Sequence, residues 1–186
     1  MRPHRPHCTG AAGGPARHAG PPSPLRQLNS ASPVEAENTL RTCCGSTRWA
    51  HRVAEHRPYP DTAALLAAAE EAGYDMTRAD LQEALAQESP QHPATEGPGA
   101  LAAHTALRAA HAAYEARFGH TFVICLDDVR PAERLDRALV ALHRRLGHDP
   151  EQEHAVVAEE LRLLTLSRLT RLLGPQVPDP ARVRHH

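Results

Sequence analysis

The chain has 186 residues, 41% of them hydrophobic and only 3% aromatic, enough for one domain with a real core and too few for two. A formal charge of −1 and a pI near 6.9 leave no basic surplus for nucleic acid and no polybasic run for a membrane surface. No segment approaches the ~18 apolar residues of a membrane span, and the N-terminus lacks the apolar stretch of a secretory signal.

Residues 1–27 repeat Pro and Gly among scattered Arg and His. Such a stretch buries too little apolar surface to offset its ordering entropy, so it reads as a disordered tail. Ser32-Pro33-Val34-Glu35 is a capping box that opens a helix to about Cys44. Gly45 stops it, and Ser46 caps a second helix through Trp49 to about His56. Asp61 caps a third, Thr62 to Ala72, which Gly73 ends, and Thr77 opens a fourth that reaches about Glu88. A loop rich in Pro and Gly, 89–99, leads to a fifth helix from Ala100 to Phe118. The run Thr121-Phe122-Val123-Ile124-Cys125-Leu126 reads as a short extended connector. Pro131 opens a sixth helix to Leu146, and Asp149-Pro150 starts a long seventh that ends at Gly174-Pro175. The expected fold is all-α, a bundle of about seven helices over residues 28–174, with a second disordered tail at 175–186. The four cysteines make no disulfide framework, since Cys43 and Cys44 are adjacent and Cys8 lies in the tail. A reducing cytoplasm suits them best.

Four stretches carry a resemblance. Cys43-Cys44-Gly45-Ser46-Thr47-Arg48-Trp49-Ala50, followed by Arg57-Pro58-Tyr59, resembles the CCGS-x-x-WA…RP-aromatic signature of the 2-oxo-4-hydroxy-4-carboxy-5-ureidoimidazoline (OHCU) decarboxylases. Tyr114 to Cys125 is similar to that family's Y-x-x-RFG-x-x-F-[IV] block, Asp80 to Leu85 to its D-W-L-E-A-F, and Ser167-Arg168-Leu169 to its terminal L-R-L. The resemblance implies a cofactor-free lyase of urate breakdown, a homodimer, acting on a small-molecule ureide. Loss of CO2 from that ureidoimidazoline leaves a carbanion delocalised into the ring. Its protonation on one face gives S-allantoin. The step calls for a positioned acid or base, a cation for the carboxylate and donors for the ureide. In the family these tasks fall to a His-Pro ending the fourth helix, a Glu-Gln pair opening the fifth and an Arg near the end of the last.

This chain departs from that pattern. Ungapped reading from Asp80 puts Glu88-Ser89 where the family has His-Pro, while a His-Pro occurs four residues later as His92-Pro93. Counting back from Tyr114 puts Ala103-His104 where the family has Glu-Gln. His104, Leu107, His111, Tyr114 and Phe118 share one helix face, so both histidines point inward. They are either core-edge histidines bonded to backbone or an altered acid/base pair lining the old pocket. His92 is either the functional histidine or a solvated loop residue. Arg168 falls inside the apolar stripe of Val157, Leu161 and Leu164, where it must find an anion, whether a substrate carboxylate or a structural ion-pair partner. The candidate catalytic residues are therefore His92, His104 and Glu88. The candidate substrate-binding residues are Arg168, His111 and the connector's Phe122, Val123, Ile124 and Cys125. His143, His148 and His154 lack the spacing of a helical zinc site, so no metal is expected. Glu151, Glu153, Glu159 and Glu160 read as a solvated face near a helix N-terminus. The alternative to a decarboxylase is a catalytically degenerate member serving as a binding module or acting on a different ureide.

Overall fold

The computed structural model describes residues 22–90, 93 and 99–174. Residues 1–21 of the tail expected at 1–27, the tail expected at 175–186, and His92 lie outside these described residues. Within them the chain forms eight α-helices and no strand: α1 (Pro24–Ser30), α2 (Pro33–Arg41), α3 (Thr47–Glu55), α4 (Thr62–Tyr74), α5 (Arg78–Ala86), α6 (Ala100–Phe118), α7 (Arg134–Arg145) and α8 (Pro150–Leu173), with a 3-10 turn at Pro131–Glu133. The punctuation read from sequence caps the helices as expected. Ser32 and Glu35 close a reciprocal box on α2, Thr77 and Asp80 another on α5, Asp149 and Gln152 a third on α8, and Ser46 and Asp61 cap α3 and α4.

Several boundaries differ from expectation: α2 ends at Arg41 rather than about Cys44, α7 begins at Arg134 after a 3-10 turn, and two further differences have a visible cause. The additional helix α1 begins inside the stretch read as tail; Ser23 caps it, Pro24 opens it, and tertiary bonds fasten it to the rest of the fold. Arg57 donates to the carbonyls of Leu28 and Ala31, and the Asn29 side chain exchanges two hydrogen bonds with the Tyr59 backbone. The Arg57-Pro58-Tyr59 motif thus anchors α1. Gly73 does not stop α4, which runs on to Tyr74. A Cβ on Gly73 would lie 3.3 Å from the Arg162 side chain, so the glycine serves the approach of α8.

The core has two parts. One gathers α1–α5 and the inner face of α8 around Leu40, Trp49, Leu65 and Leu161, and the Trp49 indole donates to the Ala69 carbonyl at 3.0 Å. The other lies between α6 and α7 around Leu107, Tyr114, Leu135 and Leu142. The connector runs between them in extended form, and its side chains alternate. Phe122, Ile124 and Leu126 enter the α6–α7 cluster, while Val123 and Cys125 face the other.

A buried polar network joins α6, α7, α8 and this connector. Arg145 and Glu153 are each 1% exposed. The Arg145 Nε donates to Glu153 Oε1 at 2.8 Å, a second guanidinium nitrogen donates to the Val123 carbonyl at 2.7 Å, and the third reaches Glu153 Oε1 and the Tyr114 hydroxyl. Tyr114 in turn donates to Glu153, and His148 Nδ1 lies 2.9 Å from Glu153 Oε2. Burial and the Glu153 carboxylate push the Tyr114 phenol well above its ordinary pKa. The guanidinium also lies over the Phe122 ring at 4.4 Å. Glu153 is therefore not on the solvated face where its acidic neighbours placed it. It follows the α8 apolar stripe four residues before Val157. Glu160 also departs from that reading, because it accepts the Cys125 backbone N–H at 2.7 Å.

Removing one partner of a buried pair strands the other charge, so Arg145→Met should cost about 3–5 kcal/mol in urea unfolding. The double change Arg145→Met/Glu153→Leu should cost clearly less than the sum of its parts. A cycle that shows simple additivity would mean that the pair is not coupled.

Candidate active site

The Cys-Cys-Gly-Ser stretch positions one wall of the site. Cys43 and Cys44 are buried in the core, and Ser46 Oγ accepts the Trp49 N–H to start α3. Gly45 is there for closeness: a Cβ would meet the Gln87 side chain at 2.7 Å and the Ala84 carbonyl at 3.2 Å. The end of α5 can therefore lie directly against the α2–α3 turn. Glu83 reinforces that approach by accepting from the Thr47 N–H and hydroxyl.

This approach brings Glu88, just past α5, to Arg168 on α8. The two side chains form a fork-to-fork pair, with guanidinium-to-carboxylate distances of 2.6 and 2.7 Å. Arg168 also donates to the Cys43 carbonyl at 3.2 Å. Glu88 is 7% exposed and Arg168 28%. The hydrogen bond to Glu88 raises the Arg168 pKa further above its already high ordinary value, so this cation is permanent.

Arg168 faces a cleft of ≈ 400 Å³. Leu126, Leu164 and Pro93 give it an apolar floor, and Asp127, Arg134 and Arg171 complete its polar rim. Arg171 lies 3.5 Å from Asp127, which also accepts a hydrogen bond from Ser167, and Arg134 is held through Nε to the Val129 carbonyl at 3.0 Å. A second cavity of ≈ 200 Å³, lined mainly by Trp49, Leu81, Ala158 and Leu161, opens elsewhere along α8. It holds none of the candidate catalytic or substrate-binding residues.

The structure separates those residues into three groups. Arg168 lines the cleft. Glu88, the candidate carboxylate, is not among the cleft-lining residues, and both its oxygens are turned onto Arg168. His111 is buried against the edge of Phe122, with ring centroids 5.5 Å apart, in the α6–α7 cluster and outside the cleft lining. His104 is half-buried on α6 and likewise does not line the cleft. The connector residues Phe122, Val123 and Ile124 are buried, and Cys125 is half-buried, whereas Leu126 and Asp127 immediately after them reach the cleft. Sequence reading missed Arg134, Asp127 and Arg171. His92 lies outside the described residues, but Pro93, its neighbour in sequence, lines the cleft. Among the described residues no group of three or more His, Cys, Asp or Glu could hold a metal ion, and no helix is long and apolar enough to cross a membrane.

With this geometry in hand, the comparisons decide the family. The family model described as OHCU decarboxylase matches residues 29–170. The chain belongs to the OHCU decarboxylase family. Two solved structures share the fold. One is a crystal structure of (S)-allantoin synthase, 20% identical with a TM-score of 0.62, where the match covers 81% of this chain and 54% of that one. The other is an OHCU decarboxylase crystallised in the presence of (S)-allantoin, 22% identical with a TM-score of 0.59, where 73% of this chain and 96% of that one are covered. The chain thus spans about half the length of the allantoin synthase that it matches. No curated protein sequence matches it. In this OHCU decarboxylase family member the Cys-Cys-Gly-Ser and Arg-Pro-Tyr stretches take structural roles, and Glu88 lies as an internal carboxylate on Arg168 of the last helix.

Glu88→Ala should remove a charge-assisted bidentate contact and cost about 1–3 kcal/mol in urea unfolding. Gly45→Ala should be destabilising as well, because the new methyl collides with Gln87 where α5 must lie close. Burial raises the pKa of both Cys43 and Cys44. Their thiolate fraction at pH 8 is therefore below that of a free thiol, and iodoacetamide should label them slowly in the native protein and rapidly after unfolding. Equal rates in the two states would contradict the burial that defines this wall.

Proposed function

We propose that this protein is a cofactor-free carboxy-lyase that converts 2-oxo-4-hydroxy-4-carboxy-5-ureidoimidazoline to S-allantoin, with a modest rate. The observation that carries the reading is the position of Arg168. It lies within the residues that the family model matches, and its guanidinium forms a wall of a cleft of ≈ 400 Å³ at the end of the connector. The cleft accommodates a small ureide, and Arg168 with the Leu126–Asp127 backbone supplies donors and orientation. As CO2 leaves, the electron pair passes into the ring, and a proton must arrive on one face. We assign that proton to His92, supported by Pro93 in the cleft lining, with His104 as the second candidate. The family's Glu-Gln pair is replaced here by Ala103-His104, so part of the acid/base assistance, typically ~10²–10⁴-fold, is forgone. We assign His111 and Phe122 to holding the connector rather than to touching substrate. The same reading takes residues 28–174, with α1, as the functional unit, in a reducing cytoplasm and as a homodimer.

One observation favours a second reading. The Arg168 fork is already engaged by Glu88, which suits a module that binds a ureide without turning it over. The assay generates the substrate in situ from urate and follows the circular dichroism of the allantoin formed. We expect a slow S excess that His92→Ala abolishes and Cys43→Ala leaves in place. Racemic product at the uncatalysed rate, from well-folded protein, would exclude the lyase and leave the binding module. An S excess that survives both His92→Ala and His104→Ala would show that the proton comes from elsewhere.

A further inference from the structure

The charges around the cleft can be paired off one by one. Arg168 is taken by Glu88 in a bidentate contact and by the Cys43 carbonyl. Arg171 faces Asp127 at 3.5 Å, and Asp127 is also engaged by Ser167. That leaves Arg134. Its side chain lines the same cleft, is half-buried, and forms no ion pair among the described residues. Its one side-chain hydrogen bond among the described residues runs from Nε to the Val129 carbonyl and leaves the two terminal nitrogens for another acceptor. The nearby acid Glu133 is turned to Arg130. An oriented, half-desolvated guanidinium on the wall of an open cleft is a carboxylate site in waiting, because such a group gains most from a bidentate anion and loses least rotamer entropy in taking one.

We propose that Arg134, rather than Arg168, receives the carboxylate of an incoming ureide, and that Glu88 enforces this choice by occupying Arg168 from within the chain. The proposal rests on the ureide reading of the cleft and names the group that recognises the acid. Glu88 is tethered and buried, so a ligand carboxylate would have to compete with an intramolecular partner to displace it from Arg168. At Arg134 no such competitor stands among the described residues. Arg168 then presents a neutralised pair to the cleft and contributes shape and residual donors, while the net attraction for an anion comes from Arg134, which stands outside both pairs.

The test compares two probes by calorimetric titration: allantoate, a ureide bearing a carboxylate, and S-allantoin, its neutral ring-closed counterpart. We expect the wild type to bind allantoate more tightly than S-allantoin. Arg134→Gln should weaken allantoate by about 10- to 100-fold, the range of a charge-assisted contact, and leave S-allantoin within about 3-fold. Arg134 is at the cleft rim, so its melting temperature should stay near the wild type's, and Arg134→Lys should recover part of the loss. Glu88→Gln should free the Arg168 fork and restore allantoate binding when combined with Arg134→Gln. Unchanged allantoate affinity in Arg134→Gln would overturn the proposal, as would equal losses for both probes. If neither ureide binds but succinate does so in an Arg134-dependent way, the carboxylate site stands and the ureide reading of the cleft falls. If allantoate, S-allantoin and succinate all fail to bind the folded wild type, both fall.

Discussion

Arg145 and Glu153 are buried where α6, α7, α8 and the connector meet, and neither charge could remain there alone. Taking each ion out of water costs several kcal/mol, which their mutual attraction offsets only when the remaining donors and lone pairs are also satisfied. Here they are. Tyr114 and His148 complete the Glu153 shell, and the Val123 carbonyl takes a guanidinium nitrogen. The bond to Val123 makes the network more than a cross-link between helices, because it fixes one peptide of a segment with no helical ladder of its own. Glu160 fixes a second by accepting from the Cys125 N–H. Clamped at two points two residues apart, the connector must keep its alternation, with Phe122 and Ile124 on one side and Val123 on the other. Leu126 and Asp127 are then delivered to the cleft.

The cleft's opposite wall depends on a different kind of constraint, one of closeness. The absent Cβ of Gly45 lets the end of α5 reach the α2–α3 turn, and Glu88 arrives at Arg168 as a result. The two constraints meet at α8, which carries Glu153 and Glu160 toward the connector and Arg168 toward α5. Because α8 is 24 residues long and packs along α4, its register sets both contacts at once. Among the described residues, Arg168 and Arg171 of α8 each have a carboxylate beside them, from Glu88 and Asp127, whereas Arg134 of α7 has none.

Much of this was legible in the residues. Caps at Ser32, Ser46, Asp61, Thr77 and Asp149 act through the nearest few backbone amides, so local sequence suffices to find them. The extended form of the connector and the inward face of α6 followed from the apolar pattern in the same way. What escaped depends on partners distant in sequence. Helix α1 follows a stretch rich in Pro and Gly and is held by Arg57 and Asn29 bonds that span about 30 residues. Glu153 looked solvated because its neighbours are acidic, although its place on the apolar stripe of Val157 and Leu161 was visible. Arg145 likewise continues the stripe of Leu135, Ala138 and Leu142. An acid and a base each sitting on a buried stripe imply one another, and that signal could have found both. Glu88 extends the stripe of Leu81 and Leu85 in the same fashion, so its pairing with Arg168 was available from the same argument. Arg134 gave no such sign, since its importance appears only after the other charges have been paired.

The central claim is that the buried Arg145–Glu153 pair holds the connector, and through it the cleft. Amide hydrogen exchange at Cys125, whose N–H is bonded to Glu160, reads this most directly. In Arg145→Met the account predicts that Cys125 exchanges through a local opening, losing more protection than the core amides of α3 and α4 lose through global destabilisation. If Cys125 and those core amides lose protection by the same amount, the connector opens only when the whole domain unfolds, and the claim that this pair specifically clamps it is contradicted.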